Sequence, residues 1–437
     1  MKKKNIYIPI EIYYREFHQR LYLISKAIKK NFRVYIGTKY GIDKILNKKI
    51  KDKSYGGIYF YKSNIISNKN YLNKICNVCD NFVILDEELG SAVSNPNLSL
   101  SIRAVFDQRV KKFFVSGKYW KDKILKHDKN FKNIVANTGW PKYDLIKDKE
   151  FNYYIEKSKK IKKKFGKFYL FSSNFGTLSQ DGLIKMKKKQ IKNHSKNFWL
   201  KRKKIFEQNI NDFMEFIKNL NDYYSNDGKI KLIIRPHPSE FNHSDWITNT
   251  KSIRDKVSVI YEGDIIPWII ASEGLVHRGC GTAIDAILLN KNSFYWKPNR
   301  KLKKSEENIT YRISKVIKNF NQVKNFNIKS KNKFNYIKNQ VENFKSINSS
   351  EKIVREMIKL KTTKENAIKP ENILKLMFNS LLRSFKSVII KNKNQKIPHS
   401  IEVKNIKNFY KNLKNFDDIK IRAINTEAIE IDNLDDY

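Results

Sequence analysis

Two short histidine-containing stretches are the first places where this sequence could do chemistry. Arg235-Pro236-His237-Pro238-Ser239-Glu240 follows directly on the apolar run Lys231–Ile234. The two prolines deny the chain helical and ladder hydrogen bonds, so His237 leaves the strand on a stiff, extended segment. An imidazole held there can donate to a phosphate oxygen or stabilise a departing nucleotide, and the plainer alternative is a turn histidine that caps local structure. The second stretch, His277-Arg278-Gly279-Cys280-Gly281-Thr282-Ala283-Ile284-Asp285, follows the short strand Gly274–Val276. Gly279 and Gly281 let the backbone approach a ligand, Thr282 can cap the ensuing helix or bond a phosphate, and Asp285 can reach a ribose hydroxyl. A plain strand-to-helix turn with a threonine cap is the competing reading. The two stretches in this order are more specific than either alone.

A third group is acidic. Glu11, with Arg15 and Glu16, follows the first apolar run, and Asp86-Glu87-Glu88 follow Phe82–Leu85. Adjacent carboxylates repel, which tends to raise a pKa and suits a general base or a carboxylate nucleophile. Solvated loop acids are the alternative. The missing motifs narrow the chemistry: there is no G-x-G-x-x-G, no Walker A loop, no G-x-S-x-G elbow and no D-x-D pair. Cys76 and Cys79 make a single C-x-x-C without a second pair or nearby histidines, so neither a metal nor another cofactor is expected.

Alternating elements must carry these groups. Residues 5–10 read as a strand, Glu16 to Lys30 has helical periodicity, and Arg33 to Ile36 is a second strand ending at Gly37. Further strands are expected at Ile58–Tyr61, Phe82–Leu85, Lys112–Val115 and Asn133–Ala136. Beyond a Lys-rich helix over 151–164, more follow at Phe168–Phe171, Lys231–Ile234, Val257–Tyr261, Gly274–Val276 and Ser293–Trp296. The pattern predicts an α/β protein with parallel sheets covered on both faces. Its domains are expected over 1–164 and 165–300, followed by a Lys/Asn-rich helical tail over 301–437. Within the tail, Leu374, Met377, Phe378, Leu381, Leu382, Phe385 and Val388 recur at 3–4 spacing after Pro370, which predicts a basic amphipathic helix; the acidic stretch from Ile421 to Tyr437 is expected to be loose.

The formal charge of +46 comes from 89 Lys+Arg against 43 Asp+Glu, and only 14 of the basic residues are arginine. Lysine lacks the planar fork that reads guanine edges, and no zinc-finger or RNP-like pattern is present, so no nucleic-acid partner is expected. So basic a surface would still adhere to anionic lipid. Three cysteines point to a reducing compartment. No segment has the ~18 apolar residues of a membrane span. MKKKNIYIPIEIYY is interrupted by Glu11 and reads as a strand rather than a signal peptide. The expected location is cytoplasmic, with any membrane contact peripheral at the inner face.

In order along residues 5–298, IYIPIE…RE, VILDEELG, NTGWPKYD (137–144), FSSNFG (171–176), IIRPHPSE and HRGCGTAIDAILLNK…KP resemble the bacterial surface carbohydrate biosynthesis protein family. Its broader relatives are the GT-B glycosyltransferases with a His-Pro motif, among them the Kdo transferases. The resemblance implies two tandem Rossmann-like domains of GT-B type and metal-independent transfer from a nucleotide-activated sugar to a glycan or lipid-linked acceptor of capsule or lipopolysaccharide biosynthesis. A CMP-Kdo-like donor is favoured. It implies His237 and the Gly281-Thr282 turn at the donor phosphate, with Arg235, Ser239, His277 and Arg278 beside it. Asp285 would lie near the ribose, and Asn174 and Gly176 would line the donor site. Glu87 and Glu11, with Glu88 behind them, would be the carboxylates of the acceptor domain. The alternatives are a UDP-sugar 2-epimerase or a CDP-alcohol phosphotransferase on the same fold, and a non-catalytic basic protein that binds membrane or nucleic acid.

Overall fold

The computed structural model describes residues 2–62, 69–87, 109–148, 152–193, 196–237, 240, 243–303, 306–323, 336–344, 348–372, 374, 401–413 and 419–433. The chain forms two units, Met1–Tyr153 with Asn335–Tyr437, and Tyr154–Phe334.

In the first unit, β1 (Lys3–Ile10), β2 (Phe32–Thr38), β3 (Ile58–Tyr61), β4 (Asn81–Leu85), β5 (Val110–Val115) and β6 (Val135–Asn137) are parallel neighbours in the order β2-β1-β3-β4-β5-β6. Ile6, Ile8, Val34, Ile36, Val83 and Ile84 are all buried, consecutive residues included. That is why these strands read as unbroken apolar runs: helices cover both faces, so neither face needs polar residues. Helix Tyr13–Ile28 returns the chain from β1 to β2. Its first turn is tied down by Glu16, whose carboxylate accepts the backbone N–H of Glu11 (3.0 Å) and Ile12 (3.1 Å), a bond pattern akin to a capping box.

The second unit holds six parallel strands, β7 (Tyr169–Ser172), β8 (Leu232–Arg235), β9 (Val257–Val259), β10 (Gly274–His277), β11 (Asn292–Trp296) and β12 (Lys315–Ile317), in the order β12-β11-β10-β7-β8-β9. Numbered from β7, this is the 3-2-1-4-5-6 order of doubly wound nucleotide-binding sheets. One face is closed by aromatic rings: Phe171 stacks on Phe216 at 4.2 Å between centroids, and Phe213 meets Trp246 edge-on at 4.8 Å. The two Rossmann-like α/β domains expected from the sequence are therefore present.

Their limits differ from the expected ones. The helix Tyr153–Phe165 belongs with the second unit, because Tyr154 donates to Asp264 (2.8 Å) and Phe165 packs on Trp268 (5.5 Å). Residues 301–437 are not a separate tail. β12 completes the second sheet, and from residue 335 the chain rejoins the first unit. There β13 (Lys364–Glu365) pairs antiparallel with β1, and the hairpin β14 (Ile419–Asn425) and β15 (Ala428–Asn433) extends the sheet past β2. The helices Ser349–Ile358 and Val403–Lys411 are the helical part of this return. Within the acidic stretch expected to be loose, 421–433 is instead held in the sheet, and its acids meet bases of β1 and β2: Asp432 pairs with Lys3 (2.8 Å) and Arg33 (2.9 Å). The amphipathic helix expected after Pro370 lies, apart from its first residues, outside the described residues. Among the described residues no helix is long and apolar enough to cross a membrane.

Candidate functional site

Open α/β sheets bind ligands beyond the carboxyl ends of their strands, where the strand order reverses. In the second unit the reversal lies between β7 and β10. β7 runs into Ser173-Asn174-Phe175-Gly176, and β10 runs into Arg278-Gly279-Cys280-Gly281 ahead of the helix Thr282–Leu288. Phe175, buried against Phe213, Phe216 and Trp246, anchors the first loop and leaves Asn174 and Gly176 at its rim. The Asn174 amide donates to the carbonyl of Gly279 (3.2 Å), which joins the two loops across the reversal. Gly279 has φ +70°, and a Cβ placed there would lie 3.9 Å from the Tyr295 ring, an ordinary contact, so this turn needs glycine for its conformation rather than for space. Gly281 is in the ordinary helical region and caps the helix with its backbone alone. The Oγ1 of Thr282 is buried and has no hydrogen-bond partner among the described residues. Asp285 is buried one turn further in.

The RPHP segment is held by a residue that no sequence reading singled out. Glu240, fully buried, accepts from Ser173 Oγ (2.6 Å), Phe175 N (2.8 Å), Trp246 Nε1 (2.9 Å), His237 N (3.2 Å) and Gly176 N (3.4 Å). Burial raises its pKa, and these donors pull it back only in part. Its role is to lock the loops after β7 and β8 together. His237 is half-buried, with its backbone N–H also bonded to Ser173 Oγ (2.9 Å).

Three residues expected at the phosphate have other duties. Arg235 donates to the carbonyls of Glu262 and Gly263 and lies over the Trp268 ring at 5.2 Å, so it braces the loop after β9. Arg278 pairs with Asp212 on the long helix Lys196–Ser225 and lies over Phe175 at 5.0 Å; Arg300 joins Asp212 (2.7 Å) and Glu306 (2.6 Å) in the same network. Burial pushes Asp212 up, but the Arg300 hydrogen bonds and the Arg278 charge outweigh it and hold the carboxyl below its ordinary value. His277 ends β10 inside the core, with Nε2 2.9 Å from Ser314 Oγ, and burial lowers its pKa to about 3. A neutral, enclosed imidazole is a packing residue. Glu88 and Ser239 lie outside the described residues.

In the first unit the strand order reverses between β1 and β3. There Lys62, buried, reaches both Glu11 (3.3 Å) and the enclosed Glu16. Glu11 keeps 44% of its side-chain surface exposed. Tyr61 beside them has its hydroxyl pushed up to about 12, by burial first and then by the charges of Glu11 and Glu16. Glu87 is different: it pairs at 3.0 Å with Arg20, whose guanidinium is fully buried and lies over Phe60 at 5.1 Å. Glu87 is therefore held in an ion pair within the protein. The NTGWPKYD stretch is a docking bracket. Asn343 accepts from Trp140 N (2.9 Å), and Asp144 accepts from the backbone N–H of Ser349 (3.1 Å) and Ser350 (2.7 Å) at the start of the returning helix.

Glu240, Asp212, Arg300 and Lys62 were thus the residues that sequence reasoning missed. Glu240 closes the quoted RPHPSE stretch, and that position was its only signal. The three cysteines form no disulfide, Cys79 lies in the core, and among the described residues no group of three His, Cys, Asp or Glu side chains could hold a metal.

No protein-family model matches the chain, and no curated protein sequence matches it. Solved structures do. MnaA of S. aureus with UDP is 14% identical over 82% of this chain and 96% of its own, at a TM-score of 0.47. The UDP-GlcNAc 2-epimerase of Methanocaldococcus jannaschii with UDP-GlcNAc and UDP is 11% identical over 82% and 99%, at 0.48. A variant of the wall teichoic acid polymerase TagF is 9% identical over 82% and 90%, at 0.41.

Proposed function

We propose that this chain transfers a sugar from a nucleotide-activated donor to a glycan or lipid-linked acceptor in surface-polysaccharide biosynthesis, with a CMP-activated 3-deoxy sugar as the first donor to test. One observation carries the reading: at the strand-order reversal of the second sheet, a buried Thr282 hydroxyl without a hydrogen-bond partner among the described residues follows the positive-φ turn at Gly279. A phosphate oxygen supplies the acceptor that this hydroxyl and the turn's N–H groups would use. Asn174 and Gly176 line the same rim. His237, on a backbone pinned by Ser173 and Glu240, is the donor to the departing phosphate.

Within the first unit, Glu11 is the better base for an acceptor hydroxyl, since it shares Lys62 with Glu16 and keeps 44% of its side-chain surface exposed, whereas Glu87 is buried against Arg20. Asp285 and Ser239 remain donor-site candidates in this reading. The reaction is assigned to the cytoplasm, with no nucleic-acid partner.

Thermal shift with CMP, CDP, UDP and their sugars tests the donor half. One nucleotide class should stabilise the wild type by several degrees and leave Thr282→Val and His237→Ala unmoved. Absence of stabilisation by every nucleotide overturns the reading. Separate incubations with CMP-Kdo and UDP-GlcNAc decide the reaction: acceptor-dependent CMP release supports transfer, and acceptor-free formation of an epimer replaces it with epimerisation.

A further inference from the structure

Between β7 and β8 the second unit carries a helical hairpin that no part of the nucleotide reading uses. Helix Gln180–Asn193 is joined by two residues to the long helix Lys196–Ser225. So short a connection makes the helices antiparallel neighbours. They close on each other through Leu183 and Met186 on one side and Trp199, Phe206 and Ile210 on the other, with Trp199 stacked on Phe206 at 5.8 Å.

The outer surface of this hairpin has an unusual composition. From Gly182 to Phe206 the sequence contains ten Lys and Arg and no Asp or Glu. Set among these bases are large apolar side chains that point to solvent: Ile184 is 53% exposed, Ile191 39% and Leu200 55%. Lysines stand one turn away from them, with Asp181 at i−3 of Ile184 and Glu207, paired with Lys203 at 3.4 Å, bounding the basic run. Ile184 has Lys187 and Lys188 at i+3 and i+4, and Leu200 has Lys196, Lys203 and Lys204 at i−4, i+3 and i+4, all exposed.

The two helices present these groups on one side. In each, the exposed apolar residue directly follows a residue of the inner face, Ile184 after Leu183 and Leu200 after Trp199, a rotation of about 100°. Because the axes are opposed, equal rotations away from facing inner sides bring both residues to the same side of the hairpin. The result is a two-helix face in which Ile184, Ile191 and Leu200 stand between lysine side chains.

We infer that this face of residues 182–206 is a docking surface for an anionic lipid bilayer. Lysines there meet the lipid phosphates, and the isoleucines and leucine enter the boundary between headgroups and acyl chains. The apolar residues favour a bilayer over a polynucleotide, whose phosphate backbone rewards charge and gives Ile or Leu nothing to enter. The inference adds a location to the peripheral contact expected from charge, and it does not rest on the transferase reading.

Co-sedimentation of the full chain with vesicles of phosphatidylcholine alone, or of phosphatidylcholine with phosphatidylglycerol, provides the test. Binding is expected only to the anionic vesicles. It should fall at least tenfold in Lys187→Glu/Lys188→Glu and several-fold in Ile184→Ser/Leu200→Ser, with melting temperatures unchanged because all four side chains are exposed. Lys157→Glu/Lys160→Glu, on the equally basic helix Tyr153–Phe165, should reduce binding much less. Three results would overturn the inference: equal binding to both vesicle types, unchanged binding in both hairpin variants, or a charge-only effect in which the serine variant binds as wild type and a homopolymeric RNA competes fully with vesicles. Nucleotide thermal shifts on the same variants separate its failure from that of the donor-site reading.

Discussion

The carboxylate of Glu240 accepts the hydroxyl of Ser173 at 2.6 Å and so joins the loops that leave two adjacent parallel strands, β7 and β8. Four further N–H groups converge on the same two oxygens, from Phe175, Gly176, His237 and Trp246. The loops at the proposed donor site thus share one buried acceptor, and the position of His237 depends on it.

Glu240→Gln is expected to be costly despite its similar shape. An amide turns an NH2 group toward donors, and each buried donor left unpaired costs about 1–3 kcal/mol. Chemical denaturation should show a loss of roughly 3 kcal/mol in the transition of the second unit, together with a weaker nucleotide shift. A variant as stable as the wild type would remove Glu240 from its assigned role.

His277 gives the second unit an acid-sensitive core. Its folded pKa, about 3, lies below the ordinary 6.5, so the unfolded chain takes up its proton first as pH falls. The stabilisation is therefore complete above pH 6.5 and is lost progressively toward pH 3, by up to about 5 kcal/mol. His277→Gln, which can still bond Ser314, should flatten the pH dependence of the denaturation midpoint in that window. An unchanged slope would show that other groups control it.

Asp212 neutralises two arginines inside the second unit. Asp212→Ala leaves Arg278 and Arg300 adjacent with only Glu306 to share between them, and a loss of about 3 kcal/mol is expected. Arg278→Ala should cost less, because Arg300 still holds Asp212. A double-mutant cycle between Arg278 and Asp212 measures the coupling, and a value near zero would contradict the network.

The contact of β2 with the C-terminal hairpin depends on a glycine. A Cβ on Gly37 would lie 2.5 Å from the carbonyl oxygen of Glu427 and 2.8 Å from the Cβ of Ala428. Gly37→Ala must displace β15 and is expected to cost about 1–3 kcal/mol. Hydrogen exchange should report lost protection in Ala428–Ile431, the residues registered against β2.

Much of this molecule is determined locally. The strands β1 to β11 coincide within a few residues with the apolar runs read from sequence, because strands buried on both faces need continuous Ile, Val and Phe. The glycine turn at 279 was legible for the same reason, since φ freedom belongs to the residue itself. The two-residue β13, the three-residue β12 and the hairpin β14–β15 were not legible. Their registers are set by the strands they join, and a Lys/Asn-rich composition hides so short a signal.

Nor could the sequence distinguish the duties of its charged residues. Arg235 and Arg278 have the chemistry of an anion clamp, and the fold placed carbonyls beside one and Asp212 beside the other. Glu87 has the chemistry of a base, and the fold brought Arg20 to it from 67 positions earlier in the chain. The function of a charge depends on the dielectric and partners around it, and those come from residues distant in sequence. The sequence by itself determined two parallel α/β sheets and the turns at their carboxyl ends. Only the tertiary structure decided which of the charged groups at those ends are paired within the protein.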